Sequence, residues 1–406
     1  MVENWAGNVT FGASAFHRPA SVAQLQEIVA GSDHLRVLGT GHSFNRIADT
    51  TGDLVSVADL PPVLEIAASG VRVSAGTRYG ELMAPLHAAG LALHNTGSLP
   101  HISVAGACST GTHGSGDAHG VLATAVSAVE LVGADGELRT VRRGDPVFRG
   151  SVVALGAAGV VTALTLDVQP TFDVRQAVVE GLRGFENVEE ALAAAYSVSL
   201  FTYWDGNGFE QVWLKQRADV PPLPAGWLGT TPADGPRHMV RGGDPAHCTP
   251  QLGTAGPWFE RLPHFRLAFT PSNGDELQSE YLVPRATIGD ALRELDGIRE
   301  RIAPVLLVGE IRTIAADDLW LSPAQGRDSA AIHFTWVSDA ARVEPVVAEV
   351  EAVLEPFTAR PHWGKVFTTS PERVHALWEH LPEAAKALSA GDPGGKFRNA
   401  LLDRYL

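Results

Sequence analysis

The chain has 406 residues, of which 45% are hydrophobic and 19% are charged, and its formal net charge at pH 7 is −15. This length fits two packed domains, and the hydrophobic content excludes an intrinsically disordered chain. Because each contact with a phosphate backbone needs a cation, the acidic balance argues against a nucleic-acid-binding protein.

Short helices and strands alternate in the first 170 residues. Ser21, followed three residues later by Gln24, forms a capping-box pattern that predicts the start of the first helix. The further elements predicted here are, in chain order, strands over 35–39 and 54–58, a hairpin of 64–66 with 71–74, a helix over 79–89, and a strand pair of 126–132 with 138–141.

One stretch, residues 150–166, is uncharged and close to membrane-spanning length. Gly156 and Gly159 interrupt it, and its second half is rich in β-branched residues, so it predicts a buried helix, a tight turn and a buried strand. The N-terminal residues contain no basic and apolar segments typical of export. We therefore expect a cytoplasmic protein that does not contact membranes, and we expect it to be a monomer.

The pattern of elements changes after Pro170. The predicted elements are, in chain order, a helix over 186–195, a hairpin of 200–204 with 211–215, a long ordered loop over 219–262, a helix over 285–302, strands over 305–314 and 331–337, and a helix over 343–357. The simplest division is a nucleotide-binding half followed by a sheet-rich half that binds the substrate.

Two glycine-rich segments, residues 39–45 and 97–116, combine glycines with hydroxyl side chains and histidines. Glycine brings backbone N–H groups close to a ligand, and Ser and Thr add further donors, a combination that suits a diphosphate. The structural alternative is a pair of tight turns. Neither segment contains G-x-G-x-x-G opening a helix or G-K-[ST], which excludes a Rossmann or P-loop site.

The strand and loop Arg36-Val-Leu-Gly-Thr-Gly-His-Ser-Phe-Asn45 resembles the flavin diphosphate loop of the vanillyl-alcohol-oxidase family. The resemblance extends, in order and at matching spacing, over residues 98–106, 107–116, 306–313, 331–337, 360–365 and 392–399. Within the family, the chain is similar to the members that oxidise linear alditols. The resemblance implies a two-domain α+β fold, with an FAD-binding domain over residues 1–170, a substrate (cap) domain with an antiparallel sheet flanked by helices over 171–360, and a C-terminal segment over 361–406 that returns to the FAD domain.

His42 is the residue that the resemblance implies is joined covalently to the 8α-methyl carbon of FAD. A loop histidine that only hydrogen-bonds the cofactor is the alternative. Doubly linked relatives carry a cysteine just before the second segment, where residues 97–101 have none, and Cys108 lies deeper in the segment, so one link is predicted. We expect His101 to be structural. The other residues implied to contact FAD are Val37, Leu38, Gly39, Thr40, Gly41, Ser43, Ser98, Ser103, Gly106, Thr110, Gly111, Thr112, His113, Val161, Thr335 and His362.

A candidate catalytic cluster comes from two predicted strands. Glu310 and Arg312 project from one face of the first strand, and His333 and Thr335 share a face of the second. The alternative is a solvated sheet face with an exposed ion pair, since burying such charges is unfavourable unless they are paired or used. Lys365, one of only four lysines beside 27 arginines, adds weight to a functional site.

The resemblance also implies roles for these residues in the oxidation of a linear alditol such as xylitol or sorbitol. Either Glu310 or His333 takes the hydroxyl proton, while Arg312 and Lys365 stabilise the alkoxide. Hydride then passes from C1 to FAD, and O2 is reduced to H2O2, leaving an aldehyde. The residues expected to bind the hydroxyl groups of the substrate are Ser98, Glu310, Arg312 and Thr335.

Other functions remain open at this level. A sugar-lactone oxidase shares the C-terminal Asp-Pro and Phe-x-Asn pattern, and a dehydrogenase uses another electron acceptor. A flavin carrier or sugar-binding module without catalysis is a different class. We predict no metal site, because His101, His113 and His119 lack metal-ligand spacing and the two cysteines are far apart in sequence.

Overall fold

The structure, a computed structural model, describes residues 2–269 and 274–406. Its strands are β1 (Ala15–His17), β2 (Leu35–Val37), β3 (Asp53–Val55), β4 (Leu64–Ala67), β5 (Gly70–Ser74), β6 (Leu91–Ala92), β7 (Val126–Val132), β8 (Leu138–Arg142), β9 (Val160–Leu166), β10 (Gln169–Pro170), β11 (Asp173–Leu182), β12 (Ser197–Thr202), β13 (Phe209–Arg217), β14 (Thr231–Pro232), β15 (Ala255–Pro257), β16 (Glu276–Pro284), β17 (Leu306–Ile314), β18 (Ser329–Val337) and β19 (Arg360–Pro361). Its α-helices are α1 (Val22–Gly31), α2 (Tyr79–Ala88), α3 (Val104–Ser109), α4 (Phe148–Ser151), α5 (Val188–Leu192), α6 (Ile288–Asp296), α7 (Arg299–Ile302), α8 (Ala340–Leu354), α9 (Pro371–Leu377), α10 (Leu381–Gly391) and α11 (Ala400–Tyr405).

Two sheets organise the N-terminal part of the chain. The strands β1, β3 and β2 form a parallel sheet in that order, and five strands form an antiparallel sheet in the order β4-β5-β9-β7-β8. Helix α1 begins where Ser21 Oγ accepts a hydrogen bond from the N–H of Gln24 at 3.2 Å. The Gln24 side chain accepts from the N–H of Ala20, so only half of the predicted capping box forms. Leu25 and Val29 are fully buried on the inner face of α1.

A large antiparallel sheet follows, with strand order β14-β11-β13-β12-β17-β18-β16-β19 and with β15 also paired to β11. The pairing of β17 with β18 places Glu310 opposite His333 and Arg312 opposite Ala331. Side chains alternate between the two faces, so Ile311 joins an apolar core with residues of α6 and α8, whereas Glu310 and Arg312 face a cleft. The α+β fold class is confirmed.

The C-terminal residues contact the N-terminal part of the chain. The N–H of Leu35 donates to Lys396 O at 2.8 Å, and the buried guanidinium of Arg36 donates to Phe397 O at 2.6 Å. Asn399 Nδ2 donates to Asp49 O at 2.8 Å. The C-terminal segment thus packs beside β2, while the domain limits at residues 170 and 360 stay a prediction.

Most predicted elements differ in extent from those observed by one to three residues, and the clearest differences are in three elements. The helix predicted over 186–195 forms only as α5. The helix predicted over 285–302 begins with a 3-10 turn and is interrupted at Gly297 between α6 and α7, where a glycine lowers helix stability by about 1 kcal/mol relative to alanine. The predicted loop over 219–262 contains β14 and β15, which extend the sheet at β11.

The membrane-like stretch 150–166 is not one helix. It contains the end of α4, then a turn in which Leu155, Gly156 and Gly159 have φ of +55°, +76° and +137°, and then β9. The predicted turn and strand are confirmed. Within residues 2–269 and 274–406, no helix has the length and apolar character needed to cross a membrane.

Candidate active site

A cleft of about 570 Å³ is lined by both glycine-rich segments and by the polar face of the large sheet. Its lining includes every residue expected to contact FAD or the substrate except Gly111. Gly111 has φ of +68°, and a Cβ there would lie 2.5 Å from Cδ of Pro323. Gly111 therefore serves the turn of the second segment instead of lining the cleft, because only glycine fits that backbone position without strain.

The two glycine-rich segments pack closely at Ser103. A Cβ added at Gly39 would lie 2.7 Å from Ser103 Oγ, and one added at Gly106 would lie 2.8 Å from the same atom. Gly41 has φ of +73°. Among the described residues, none accepts a hydrogen bond from the backbone N–H groups of residues 39–43. Free N–H groups in a cleft lined by glycine and hydroxyl side chains suit the oxygens of a diphosphate, so these segments fit FAD.

His42 lies in the middle of the 39–45 loop and lines the cleft. Its Nδ1 is 3.0 Å from Thr40 Oγ1, and the ring of Trp5 stacks on it with ring centroids 5.1 Å apart. Burial, assisted by the positive potential of His101 and Lys365, lowers the pKa of His42 to about 4. The imidazole is therefore neutral at neutral pH and keeps one nitrogen lone pair available for bonding.

Glu310, Arg312 and Ser98 meet in the cleft. Arg312 Nη1 donates to Ser98 Oγ at 3.1 Å, and Arg312 Nε lies 3.4 Å from Glu310 Oε1. Both charged side chains are buried, which contradicts the alternative of an exposed ion pair. Burial alone would raise the pKa of Glu310, but the charge of Arg312 and the hydrogen bond from His264 outweigh it and hold that pKa well below its ordinary value.

Glu280, on β16, is a central buried carboxylate that the sequence patterns did not indicate. Its Oε1 lies 3.1 Å from His113 Nε2 and 3.4 Å from Arg312 Nη2, and its Oε2 lies 3.4 Å from His333 Nδ1. Burial opposes its ionisation, but His113 and His333 together hold its pKa well below the ordinary value. Gln278 and Ser279 precede Glu280, and only the residues after it, 281–283, are mostly apolar, so the local sequence gives no clear signal for a buried carboxylate.

His333 is oriented by its two neighbours. Because the Glu280 carboxylate accepts only, it favours the hydrogen on Nδ1 of His333, and Nε2 is left as an acceptor 3.2 Å from Thr335 Oγ1. Burial lowers the pKa of His333, and the charge of Glu280 limits that decrease. The His333 ring is therefore neutral, and its acceptor atom, Nε2, faces the hydroxyl group of Thr335.

Two more polar residues behind Glu310 were not predicted. His264 Nε2 lies 2.8 Å from Glu310 Oε1, and Lys215 Nζ lies 2.8 Å from His264 Nδ1. Lys215 stands on β13 and is one of the four lysines, so the rarity that singled out Lys365 applies to it equally. His264 lies in a segment without periodicity, where local sequence carries no signal.

Lys365 binds a neutral partner. Its Nζ donates to Oε1 of Gln278, and it lies 5.0 Å from the ring centroid of Phe44. Burial lowers the pKa of Lys365, and Glu280 partly offsets this effect. His101, outside this group, contacts the backbone oxygen of Leu267 at 3.0 Å. The structural role expected for it stays a prediction.

Comparison with known proteins gives relatives over the whole chain. A family described as "FAD binding domain" matches residues 13–142, and one described as "D-arabinono-1,4-lactone oxidase" matches residues 273–405. The chain is 50% identical to an alditol oxidase of Streptomyces sp. (strain IKD472 / FERM P-14339), over 99% of this chain and 98% of that protein. It is 28% identical to an L-gulono-1,4-lactone dehydrogenase of Mycobacterium tuberculosis, over 99% and 98% of the two chains. It is 24% identical to the L-gulonolactone oxidase of Mus musculus, over 99% and 97%.

Solved structures with the same fold include cholesterol oxidases. A solvent-stable cholesterol oxidase superposes with a TM-score of 0.77 over 99% of this chain and 96% of that chain, and a variant of the Brevibacterium sterolicum enzyme with 0.76 over 100% and 96%. Both are 14% identical to this chain, so they support the fold alone. Together with the 50% identity over nearly full length, they lead to one assignment. The chain belongs to the alditol oxidases, FAD-dependent enzymes of the vanillyl-alcohol-oxidase family.

Proposed function

We propose that this chain oxidises the terminal C1 hydroxyl of a linear alditol such as xylitol or sorbitol, releasing an aldose and H2O2. The observation that carries the proposal is a cluster of hydrogen-bonding side chains in the same cleft as the 39–45 loop. Its members are Ser98, Glu310, Arg312, His333 and Thr335. An uncharged polyol matches such a cluster, because each hydroxyl both donates and accepts. The 50% identical relative, an alditol oxidase, gives independent support.

FAD is the proposed cofactor, held by residues 37–43 and by the second glycine-rich segment, with one covalent bond through His42. When bound, FAD supplies the acceptor for the hydride removed from the substrate carbon and passes the electrons on to O2. The neutral imidazole of His42 retains a lone pair for bonding to a carbon atom. Thr40 and the stacked ring of Trp5 limit its rotation.

His333 Nε2 is the proposed acceptor of the hydroxyl proton. Glu310 is the weaker candidate for this role, because Arg312 and His264 hold its pKa well below the ordinary value. His333 has the neutral state that a base requires, and Glu280 lies on the side of Nδ1, where it stabilises the imidazolium that forms. Glu310 then acts as an acceptor of substrate hydroxyls.

The remaining polar residues of the cleft bind the substrate and stabilise charge. Arg312 and Ser98, already hydrogen-bonded to each other, are placed to bind the same hydroxyl group. The hydroxyl group of Thr335 is hydrogen-bonded to His333 Nε2, so a substrate oxygen bound beside them contacts both residues. Lys365 has the neutral partner Gln278, so the charge of its protonated form is not offset by an ion pair and can stabilise the developing alkoxide.

A sugar-lactone substrate is the second candidate function. It is favoured by the match of residues 273–405 to the family described as D-arabinono-1,4-lactone oxidase, and by the relative named as a lactone dehydrogenase. Because that relative is named a dehydrogenase, an electron acceptor other than O2 is a further alternative.

Location in the cytoplasm and a monomeric state are proposed from the sequence alone.

Steady-state peroxide release and anaerobic bleaching of the flavin absorbance test the proposal. With xylitol or sorbitol we expect bleaching, peroxide on admission of air, and an aldose as the product. A higher kcat/KM for a gulono-lactone than for both alditols would instead favour the lactone function. Bleaching by an alditol followed by slow reoxidation in air would favour a dehydrogenase. No bleaching by any of these compounds would refute catalysis on both classes.

A further inference from the structure

Lys215 is buried completely and lies outside the set of residues that face the substrate. Its ammonium group has three hydrogens, and three acceptors surround it: Leu262 O, Pro263 O at 3.4 Å and His264 Nδ1 at 2.8 Å. An ammonium group donates only. While Lys215 is protonated, as it is at pH 6, His264 Nδ1 must therefore be the unprotonated nitrogen of the ring.

The position of the ring hydrogen of His264 determines its contact with Glu310. With Nδ1 as the acceptor, the hydrogen of the neutral imidazole lies on Nε2, which donates to Glu310 Oε1 at 2.8 Å. Arg312 Nε approaches the same oxygen at 3.4 Å. Oε1 thus accepts the hydrogen bond of His264 and lies in ion-pair contact with Arg312. Oε2 is the oxygen left for a ligand in the cleft.

The backbone of His264 makes a second connection to the site. Its N–H donates to Ser98 O at 2.9 Å, and Ser98 Oγ in turn accepts from Arg312 Nη1 at 3.1 Å. Ser98, Arg312, Glu310 and His264 therefore form a closed ring of contacts that connects the second glycine-rich segment with β17. One residue, His264, fixes both the Ser98 backbone and the Glu310 carboxylate.

We propose that Lys215 and His264 are positioning residues. Lys215 fixes the tautomer of His264, and His264 donates a hydrogen bond to Oε1 of Glu310, so that Oε2 alone binds a substrate hydroxyl. The part concerning the substrate rests on the proposed alditol oxidation. The competing explanation is that His264 only satisfies a buried lysine and fills space. The two explanations differ in whether the hydrogen on Nε2, and not merely a side chain of similar size, matters to substrate binding.

Three variants separate these explanations. His264→Gln keeps an N–H donor near the position of Nε2, His264→Leu removes the donor while keeping an apolar side chain, and Lys215→Met removes the cation. Because the same hydroxyl contact exists before and during the reaction, its loss raises KM and leaves kcat nearly unchanged. We expect KM for xylitol to rise about tenfold or more in His264→Leu, the effect of losing a hydrogen bond to a charged group. In His264→Gln we expect KM within about threefold of wild type.

A second measurement does not depend on turnover. Nitrogen-15 NMR of histidine-labelled enzyme containing FAD, with the His264 signals identified by their loss in His264→Gln, reports which ring nitrogen carries the hydrogen. We expect the Nε2–H tautomer in the wild type at pH 6, and a mixture of tautomers in Lys215→Met.

The outcomes are distinct. An Nδ1–H tautomer in the wild type, or equal KM values in His264→Leu and wild type, would overturn the proposal. Equal increases in KM for the Gln and Leu variants would also overturn it, because packing would then explain both. A wild-type enzyme that oxidises no alditol refutes the proposed function, while the tautomer measurement still decides whether Lys215 and His264 fix Glu310. If Lys215→Met does not fold, the two His264 variants and the wild-type spectrum still decide the outcome.

Discussion

Replacing Glu280 by glutamine tests whether a buried carboxylate orients the proposed base. The change keeps the size of the side chain and removes its charge. In the structure this charge lies 3.4 Å from His333 Nδ1 and 3.1 Å from His113 Nε2. A hydrogen bond to a charged group contributes about 1.5–3 kcal/mol. The contact with His333 is an ion-pair contact outside hydrogen-bond geometry. We therefore take the lower limit, about 1.5 kcal/mol, which corresponds to about a tenfold lower kcat.

The pH dependence of kcat gives a second, signed expectation for the same variant. Burial lowers the pKa of His333, and the Glu280 charge raises it, so removing that charge lowers the pKa further. The acidic limb of the kcat profile should therefore move to lower pH while the plateau falls. Steady-state peroxide release with xylitol between pH 4 and 9 measures both, with FAD content and thermal melting as controls. A kcat within about threefold of wild type and an unmoved acidic limb would refute the role given to Glu280.

Three further predictions concern the cofactor and stability. His42→Ala should give a colourless pellet on acid precipitation. The wild type should give a yellow pellet, with added mass on the peptide that contains His42. A colourless wild-type pellet would contradict the covalent bond. Gly39→Ala should lower FAD content, because its Cβ would lie 2.7 Å from Ser103 Oγ. An unchanged ratio of flavin to protein absorbance would argue against FAD binding by the glycine-rich segments. Burial lowers the pKa of Lys215 from 10.5 to about 7, so the unfolded chain binds the extra proton between these values and this residue costs stability at low pH. Melting temperature should therefore rise more between pH 7 and 10 in the wild type than in Lys215→Met, and parallel curves would show that Lys215 titrates normally.

The strands that carry the proposed catalytic residues could be predicted because the sequence pattern that indicates them is local. Alternation with a period of two residues places Glu310 with Arg312, and His333 with Thr335, whatever the neighbouring strands are. The first glycine-rich segment could be predicted equally well, because glycine allows backbone conformations that other residues rarely adopt and because Ser and Thr lie next to the glycines in sequence. In both cases, residues within a few positions of one another carry the whole pattern.

The residues behind the site could not be found in this way. Glu280 reaches the cluster because β16 pairs with β18, and Lys215 does so because β13 is two strands away from β17. Neither neighbour relation follows from residues close in sequence. His264 is brought to Glu310 by a segment without periodicity, whose N–H donates to Ser98 O across 166 positions. Long-range pairing therefore decides which groups lie beside the proposed catalytic residues.

Arg312 and Lys365 differ in their partners, although the sequence predicts the same role, stabilising the alkoxide, for both. Arg312 is held by Ser98, Glu280 and Glu310, so its charge is shared among fixed partners. Lys365 has no carboxylate of the described residues within ion-pair distance, and its partner is the neutral amide of Gln278. A charge already compensated by neighbouring carboxylates changes little when an alkoxide forms, whereas an uncompensated one gains most from it. Arg312 is therefore better suited to fixing the substrate, and Lys365 to stabilising the negative charge that develops on its oxygen.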